Sequence, residues 1–228
     1  MNITLENAKL EALVAQQVRS NFLLNDAEEL TVAGAIPDAL KQTETCFKSC
    51  NNKYYANEEG VVQFNPYHSG QYTAFLYFLS RVLIKNNHAS LADRIYYLNR
   101  QLNGLDLFYQ VEMPPVFMLD HPLGSILGRA SYGNYFVFNQ QCTVGGNHDI
   151  YPKLGEYVTL FAGATVIGNS AIGNNVYIAA GAYVKDEDIP DNTLVFGRSP
   201  NLTLKTKPPE YFYRESPFKE HRPSGDQD

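Results

Sequence analysis

The chain has 228 residues, of which 44% are hydrophobic and 18% charged, with a net charge of −6 and three cysteines. That length and apolar content suit one large domain or two modest ones with a real core, while the acidic balance leaves no basic excess to neutralise nucleic-acid phosphates. No stretch approaches the roughly 18 apolar residues of a membrane span, and Cys46, Cys50 and Cys142 form neither a disulfide framework nor a histidine-supported zinc set, so a soluble protein of a reducing, cytoplasmic compartment is expected.

The first half reads as helical. Leu5, Leu10, Leu13, Val14 and Val18 recur at helical spacing and predict a first helix, which Phe22 and Leu23 continue. A second helix is expected from Ile36 to Lys53, with Pro37 and Asp38 at its start. The turn-rich run NNKYYANEEG interrupts the pattern. Gln71 to Arg100 then reads as two helices split at Asn86-Asn87-His88, and Gly104 closes a helical domain of residues 1–104.

Beyond it the period becomes six. Leu154, Leu160, Val166, Ile172, Ile178 and Val184 follow one another at that interval, and all are aliphatic. Four positions after an anchor stands a small or β-branched residue: Val158, Ala164, Ser170, Val176 and Ala182. Ile126, Tyr132, Phe138 and Val144 form an earlier, looser run. A hexapeptide of this kind supplies one flat strand and one corner of a triangular prism, and only stacking of successive coils buries the anchors. The fold class expected is therefore α + β, a helical domain followed by a left-handed parallel β-helix over residues 105–200.

Two features depart from strict repetition. Val144 and Leu154 are ten apart, four more than one hexad, so a loop is expected to protrude at GGNHDIYPK. After Val184, VKDEDIPDNTLVFGRSPN reads as a last strand pair, and residues 201–228, rich in proline and charge, read as an extended or disordered tail.

Helices ahead of hexapeptide repeats, Leu-Asp-His at 119–121, Thr-Val-Gly-Gly at 143–146 and FGRSPN at 196–201 together resemble the serine O-acetyltransferases of the hexapeptide acyltransferase superfamily. The resemblance covers about residues 60 to 200. It implies an acetyl-CoA donor, His121 as general base, Asp106 as its orienting carboxylate, and Gly146 as an amide donor. An alcohol attacking a thioester needs such a base with a pKa near neutrality, a carboxylate behind it, and donors for the developing oxyanion. Ala162 and Ala180 fall where the family passes the pantetheine arm, and Lys185 is placed to meet a phosphate.

On the acceptor side the match is partial. Asp120 is retained, Asn65 stands where the family has an aspartate, and Ile150-Tyr151 stand where it has Arg-His. Tyr151 and His148 of the shortened loop are therefore the remaining acceptor-side candidates. The acceptor stays open among L-serine, another hydroxy amino acid and a sugar hydroxyl of a polysaccharide precursor. No metal is called for, and Cys142, in an interior position, is assigned to packing rather than to an acyl-enzyme. The resemblance implies a homotrimer or a dimer of trimers. The Gly-Asp-Gln-Asp terminus lacks the isoleucine used in the cysteine synthase complex, which counts against that partner. A non-catalytic trimeric scaffold is the rival reading. A hexapeptide carbonic anhydrase would need three histidines, and the repeat region has only His121 and His148.

Overall fold

The computed structural model describes residues 1–57, 59–214 and 216–219. The chain divides into two compact units: Met1–Lys48 with Lys53–Gln110, and Ser49–Asn52 with the residues from Val111 onward.

The first unit is helical. β1 (Asn2–Ile3) pairs in parallel with β2 (Gln63–Phe64), and four helices make up the rest: α1 (Asn7–Asn21), α2 (Asp26–Lys48), α3 (Ser69–Lys85) and α4 (Ala89–Asn103). α1 buries Leu10, Val14, Ala15 and Val18, one helical stripe. It ends before Phe22, whose extended backbone stops the helix, and Leu23 is 92% exposed, so neither residue continues it.

α2 begins ten residues earlier than Ile36 and stops short of Lys53. Its start is a reciprocal cap: the Glu28 N–H donates to Asn25 Oδ1 at 2.9 Å, and the Asn25 N–H donates to Glu28 Oε2 at 3.0 Å. Pro37 therefore lies inside the helix on an exposed face, not at its first turn. The apolar stripe of Val32, Ala35, Ile36, Ala39 and Leu40 runs through it and outweighs the one missing backbone donor.

α3 is buried at almost every position from Gly70 to Ser80, as the central helix of the unit. Asn99 on α4 donates to the Thr73 carbonyl of α3 at 3.0 Å. α4 ends at Gly104, which takes the left-handed conformation at φ 60° with its N–H on the Arg100 carbonyl. β3 (Asp106–Leu107) follows directly.

The second unit is the prism. In chain order its strands are β4 (Phe117–Leu119), β5 (Ile126–Leu127), β6 (Ser131–Tyr132), β7 (Phe136–Phe138), β8 (Thr143–Gly145), β9 (Lys153–Leu154) and β10 (Val158–Leu160). β11 (Thr165–Ile167), β12 (Ala171–Ile172), β13 (Val176–Ile178), β14 (Tyr183–Lys185) and β15 (Thr193–Arg198) complete the coils. Three parallel faces result: β4-β7-β10-β13-β15, β5-β8-β11-β14 and β6-β9-β12. Equivalent anchors stack across coils, Leu160 on Ile178, Val166 on Val184 and Leu154 on Ile172, and each is at most 4% exposed. This is a left-handed β-helix of hexapeptide repeats.

Register shows where the repeat is broken. Lys153 pairs with Ala171, eighteen residues on, but Ser131 pairs with Lys153, twenty-two residues on. The four-residue surplus thus sits between β8 and β9, as the spacing predicts. The earlier run begins differently from the expectation. Ile126 is 49% exposed and faces Thr143, while Leu127 stacks on Val144 and is buried. The corner between β5 and β6 is one residue shorter than a hexad allows, and that slip turns Ile126 outward. Cys142 is fully buried, its thiol donating to the Phe161 carbonyl at 3.2 Å, and burial pushes its pKa up.

Residues 201–214 and 216–219 are folded where a loose tail was expected. β16 (Asn201–Thr206) folds back antiparallel on β15, and α5 (Pro209–Arg214) follows. Phe212 is fully buried with its ring 4.9 Å from Tyr177, and Phe218 packs 5.3 Å from Tyr135. These two aromatics supply the apolar area that proline and charge conceal in the composition. Residues 220–228, the rest of that expected tail, lie outside the described residues. Ser49–Asn52 joins this unit because the Asn51 N–H bonds the Pro217 carbonyl at 2.7 Å and the Lys219 N–H bonds the Ser49 carbonyl at 3.0 Å. Among the described residues no helix is long and apolar enough to cross a membrane.

Candidate active site

β4 delivers Asp120 and His121 to a corner of the prism. The Asp120 N–H donates to the Phe138 carbonyl of the next coil at 3.0 Å, and the Leu123 N–H closes back on the His121 carbonyl at 2.7 Å. His121 takes φ 51°, a left-handed backbone that is uncommon for a side-chain-bearing residue. Its imidazole is thereby turned outward, 88% exposed, with Nε2 3.7 Å from Asp120 Oδ1. A histidine packed into the core would be covered; this one is exposed.

Below His121 the same corner repeats coil after coil. The Gln141 N–H bonds the Leu123 carbonyl, the Gly163 N–H bonds the Gln140 carbonyl and the Gly181 N–H bonds the Ala162 carbonyl, each at 2.9 Å. Gln141, Gly163 and Gly181 all have positive φ, and the glycines take it without strain. Ala162 and Ala180 precede the two glycines, so below Gln140-Gln141 the corner continues as a strip of small residues. A Cβ added at Gly181 would meet nothing within 4 Å. On the face beside the strip lies a groove of about 570 Å³ that includes Asp120 and Ala180 in its lining.

The surplus loop is a tight hairpin. Asn147 and Ile150 exchange backbone hydrogen bonds at 2.9 and 3.1 Å, and His148 and Asp149 between them both have positive φ, 50° and 58°. Both are exposed at the tip. Tyr151 folds back over Gly146, so that a Cβ on Gly146 would lie 2.7 Å from the ring. Gly146 is exposed, and its N–H has no hydrogen-bond partner among the described residues. Lys185 lies on β14 opposite Ile167, which in turn faces Gly145 on β8. The structure therefore brings Asp120 to His121, sets Ala162 and Ala180 on one strip, and stacks Tyr151 on Gly146.

Asp106 and Asn65 belong to the helical unit. Asp106 Oδ1 accepts from the Tyr96 hydroxyl at 2.7 Å, and Arg100 lies 3.7 Å from Oδ2. Burial and then the Asp106 carboxylate push the Tyr96 hydroxyl's pKa up. Neither Tyr96 nor Arg100 was singled out in the sequence, although their spacing of four on α4 puts both on one helix face. Asn65 Oδ1 accepts from the Tyr67 N–H at 2.9 Å and the Thr4 hydroxyl at 3.3 Å. Its own N–H donates to Gln71 Oε1, so Asn65 serves as a turn-former ahead of α3. Tyr211 and Pro217, which line the groove, lay in the segment read as a loose tail.

The family model for the bacterial transferase hexapeptide (six repeats) matches residues 151–186. The serine acetyltransferase of Synechococcus elongatus is 34% identical over 106 residues, 44% of this chain and 43% of that protein. Serine acetyltransferase 2 of Arabidopsis thaliana is 25% identical over 195 residues, 78% of this chain and 59% of the relative. The chain thus spans about half the length of these curated relatives. Among solved structures, a truncated serine acetyltransferase apoenzyme superposes with a TM-score of 0.67 at 19% identity, covering 87% of this chain and 85% of that one. The Neisseria gonorrhoeae serine acetyltransferase gives 0.61 at 23%, covering 80% and 71%. The chain thus carries hexapeptide repeats and is similar to serine acetyltransferases in part of its sequence and in its fold.

Proposed function

We propose that this protein is an acetyl-CoA-dependent O-acetyltransferase of the serine acetyltransferase type. The observation that carries the reading is the exposed His121, next to Asp120, at the head of a corner strip that descends through Ala162 and Ala180. The small residues Ala162-Gly163 and Ala180-Gly181 suit the long, thin pantetheine arm, and the corner they occupy leads to the histidine. A related solved structure is described as a serine acetyltransferase complex with CoA, and another, from Neisseria gonorrhoeae, as a complex with serine; both support the substrate classes.

In this reading His121 takes the proton of the acceptor hydroxyl as its oxygen attacks the thioester carbonyl. A C–O bond forms, the C–S bond breaks, and the imidazolium returns its proton to the leaving thiolate. Asp106 is the carboxylate that fixes the imidazole tautomer and stabilises the imidazolium. The unpaired Gly146 N–H meets the developing oxyanion. Asp120, Asn65, His148 and Tyr151 are assigned to the acceptor, and Lys185 to a donor phosphate at the far end. The assembly is a trimer, or two trimers, with sites completed between subunits.

The test is free-thiol release from acetyl-CoA by the purified protein, with and without a panel of alcohols that begins with L-serine. Release that rises with an alcohol is expected. A panel in which no hydroxyl compound exceeds hydrolysis would return the protein to the scaffold reading.

A further inference from the structure

The groove beside His121 has a composition of its own. Its floor is built from the outward-facing residue of each coil, Met118, Val137, Thr159, Tyr177 and Leu194. Phe161 and Phe196 border the corner strip, and Tyr211 with Pro217 of the C-terminal segment forms the outer wall. That wall is held in place. The Lys207 N–H bonds the Asn192 carbonyl at 2.9 Å, Tyr177 donates its hydroxyl to the Phe212 carbonyl at 3.2 Å, and Phe212 is fully buried.

Charge is distributed unevenly along this groove. Among the described residues lining it Asp120 carries the one carboxylate, and no lysine or arginine is present. At the opposite end Lys205 stands 5.3 Å over the Phe196 ring and Lys207 stands 5.4 Å over the Tyr211 ring. Phe196 belongs to the fifth strand of this face and Asp120 follows the first, so four strand spacings, about 19 Å, separate the two ends. A carboxylate brought to the His121 end would face the Asp120 carboxylate, and the lining of this chain offers it no lysine or arginine, whereas an apolar body would find aromatic and aliphatic walls.

We propose that this groove holds the body of the acceptor, and that the acceptor is a hydroxyl compound with an apolar portion and no carboxylate. The inference rests on the reading of His121 as the place of acetyl transfer. Asp120 then accepts from an amine or a second hydroxyl of the acceptor, and Tyr211 covers its apolar part.

A matched series separates charge from apolar area at a constant hydroxyl: L-serine, L-serinamide and L-serine anilide, each assayed by thiol release from acetyl-CoA with the full chain. The value of kcat/KM is expected to rise at each step, by more than about tenfold in total. Asp120→Asn is expected to narrow the first step, and Tyr211→Ala to narrow the second. L-serine equal to or better than both amides would overturn the inference while leaving the acetyltransferase in place. No release above hydrolysis with any of the three, nor with other alcohols, would instead remove the acetyltransferase reading and this inference with it.

Discussion

At the scale of single residues, the site depends on positions whose neighbours forbid change. Gly146 has no room for a methyl group under Tyr151, so Gly146→Ala is expected to cost about 1–3 kcal/mol of stability as the ring is displaced. Thermal denaturation checks this, and Tyr151→Ala in the same chain should restore most of the loss. Tyr96 acts on Asp106 through one hydroxyl, 2.7 Å away. Tyr96→Phe is expected to lower kcat several-fold with little change in KM for either substrate, the signature of a positioning group. Asp120 and His121 stood out in the sequence as part of one short motif, and Ala162 and Ala180 were picked out by the family resemblance. Tyr96 and Arg100 were not seen because nothing in a helix marks which of its faces a later aspartate will meet. The identity of a capping pair was equally hidden: Asn25 and Glu28 start α2, while Pro37 drew attention to the wrong turn.

Among the elements, the helices are tied by a cluster around one arginine. Arg94 of α4 donates to the Leu23 carbonyl and to the Glu28 carboxylate of α2. The Arg94 hydrogen bond, together with the Asn25 N–H, holds the Glu28 pKa down to about 2, against an ordinary value of 4.5. A depressed folded-state pKa stabilises above the unfolded value and loses that contribution as the pH falls. Glu28→Gln should therefore melt below wild type at pH 7, and the difference should shrink from about pH 4.5 downward and vanish near pH 2. Melting curves at a series of pH values measure it. In the prism, the C-terminal segment is an integral element. Phe212→Ala leaves a cavity against Tyr177 and is expected to cost about 3–5 kcal/mol in a denaturant titration. Composition hid this element because two buried aromatics weigh little among prolines and charges. The period of six, by contrast, is a property of every coil, so the strands from Leu154 to Val184 could be placed from sequence alone. Only at Ile126, where one corner shortens, did the count fail.

At the scale of the whole molecule, the prism carries the candidate histidine and its corner. The prism makes a long donor such as acetyl-CoA plausible on physical grounds, because its corner offers successive small residues at the spacing of stacked strands. The histidine at the head of that corner turns the scaffold into a candidate catalyst. Light scattering should give a mass that is a multiple of three chains, if sites are completed between subunits. The most direct test is the acceptor-dependent transfer of acetyl from acetyl-CoA, compared between wild type and His121→Ala at saturating donor. A fall of about 10²- to 10⁴-fold in that rate is expected, with acetyl-CoA binding retained. Equal rates in the two proteins would contradict it.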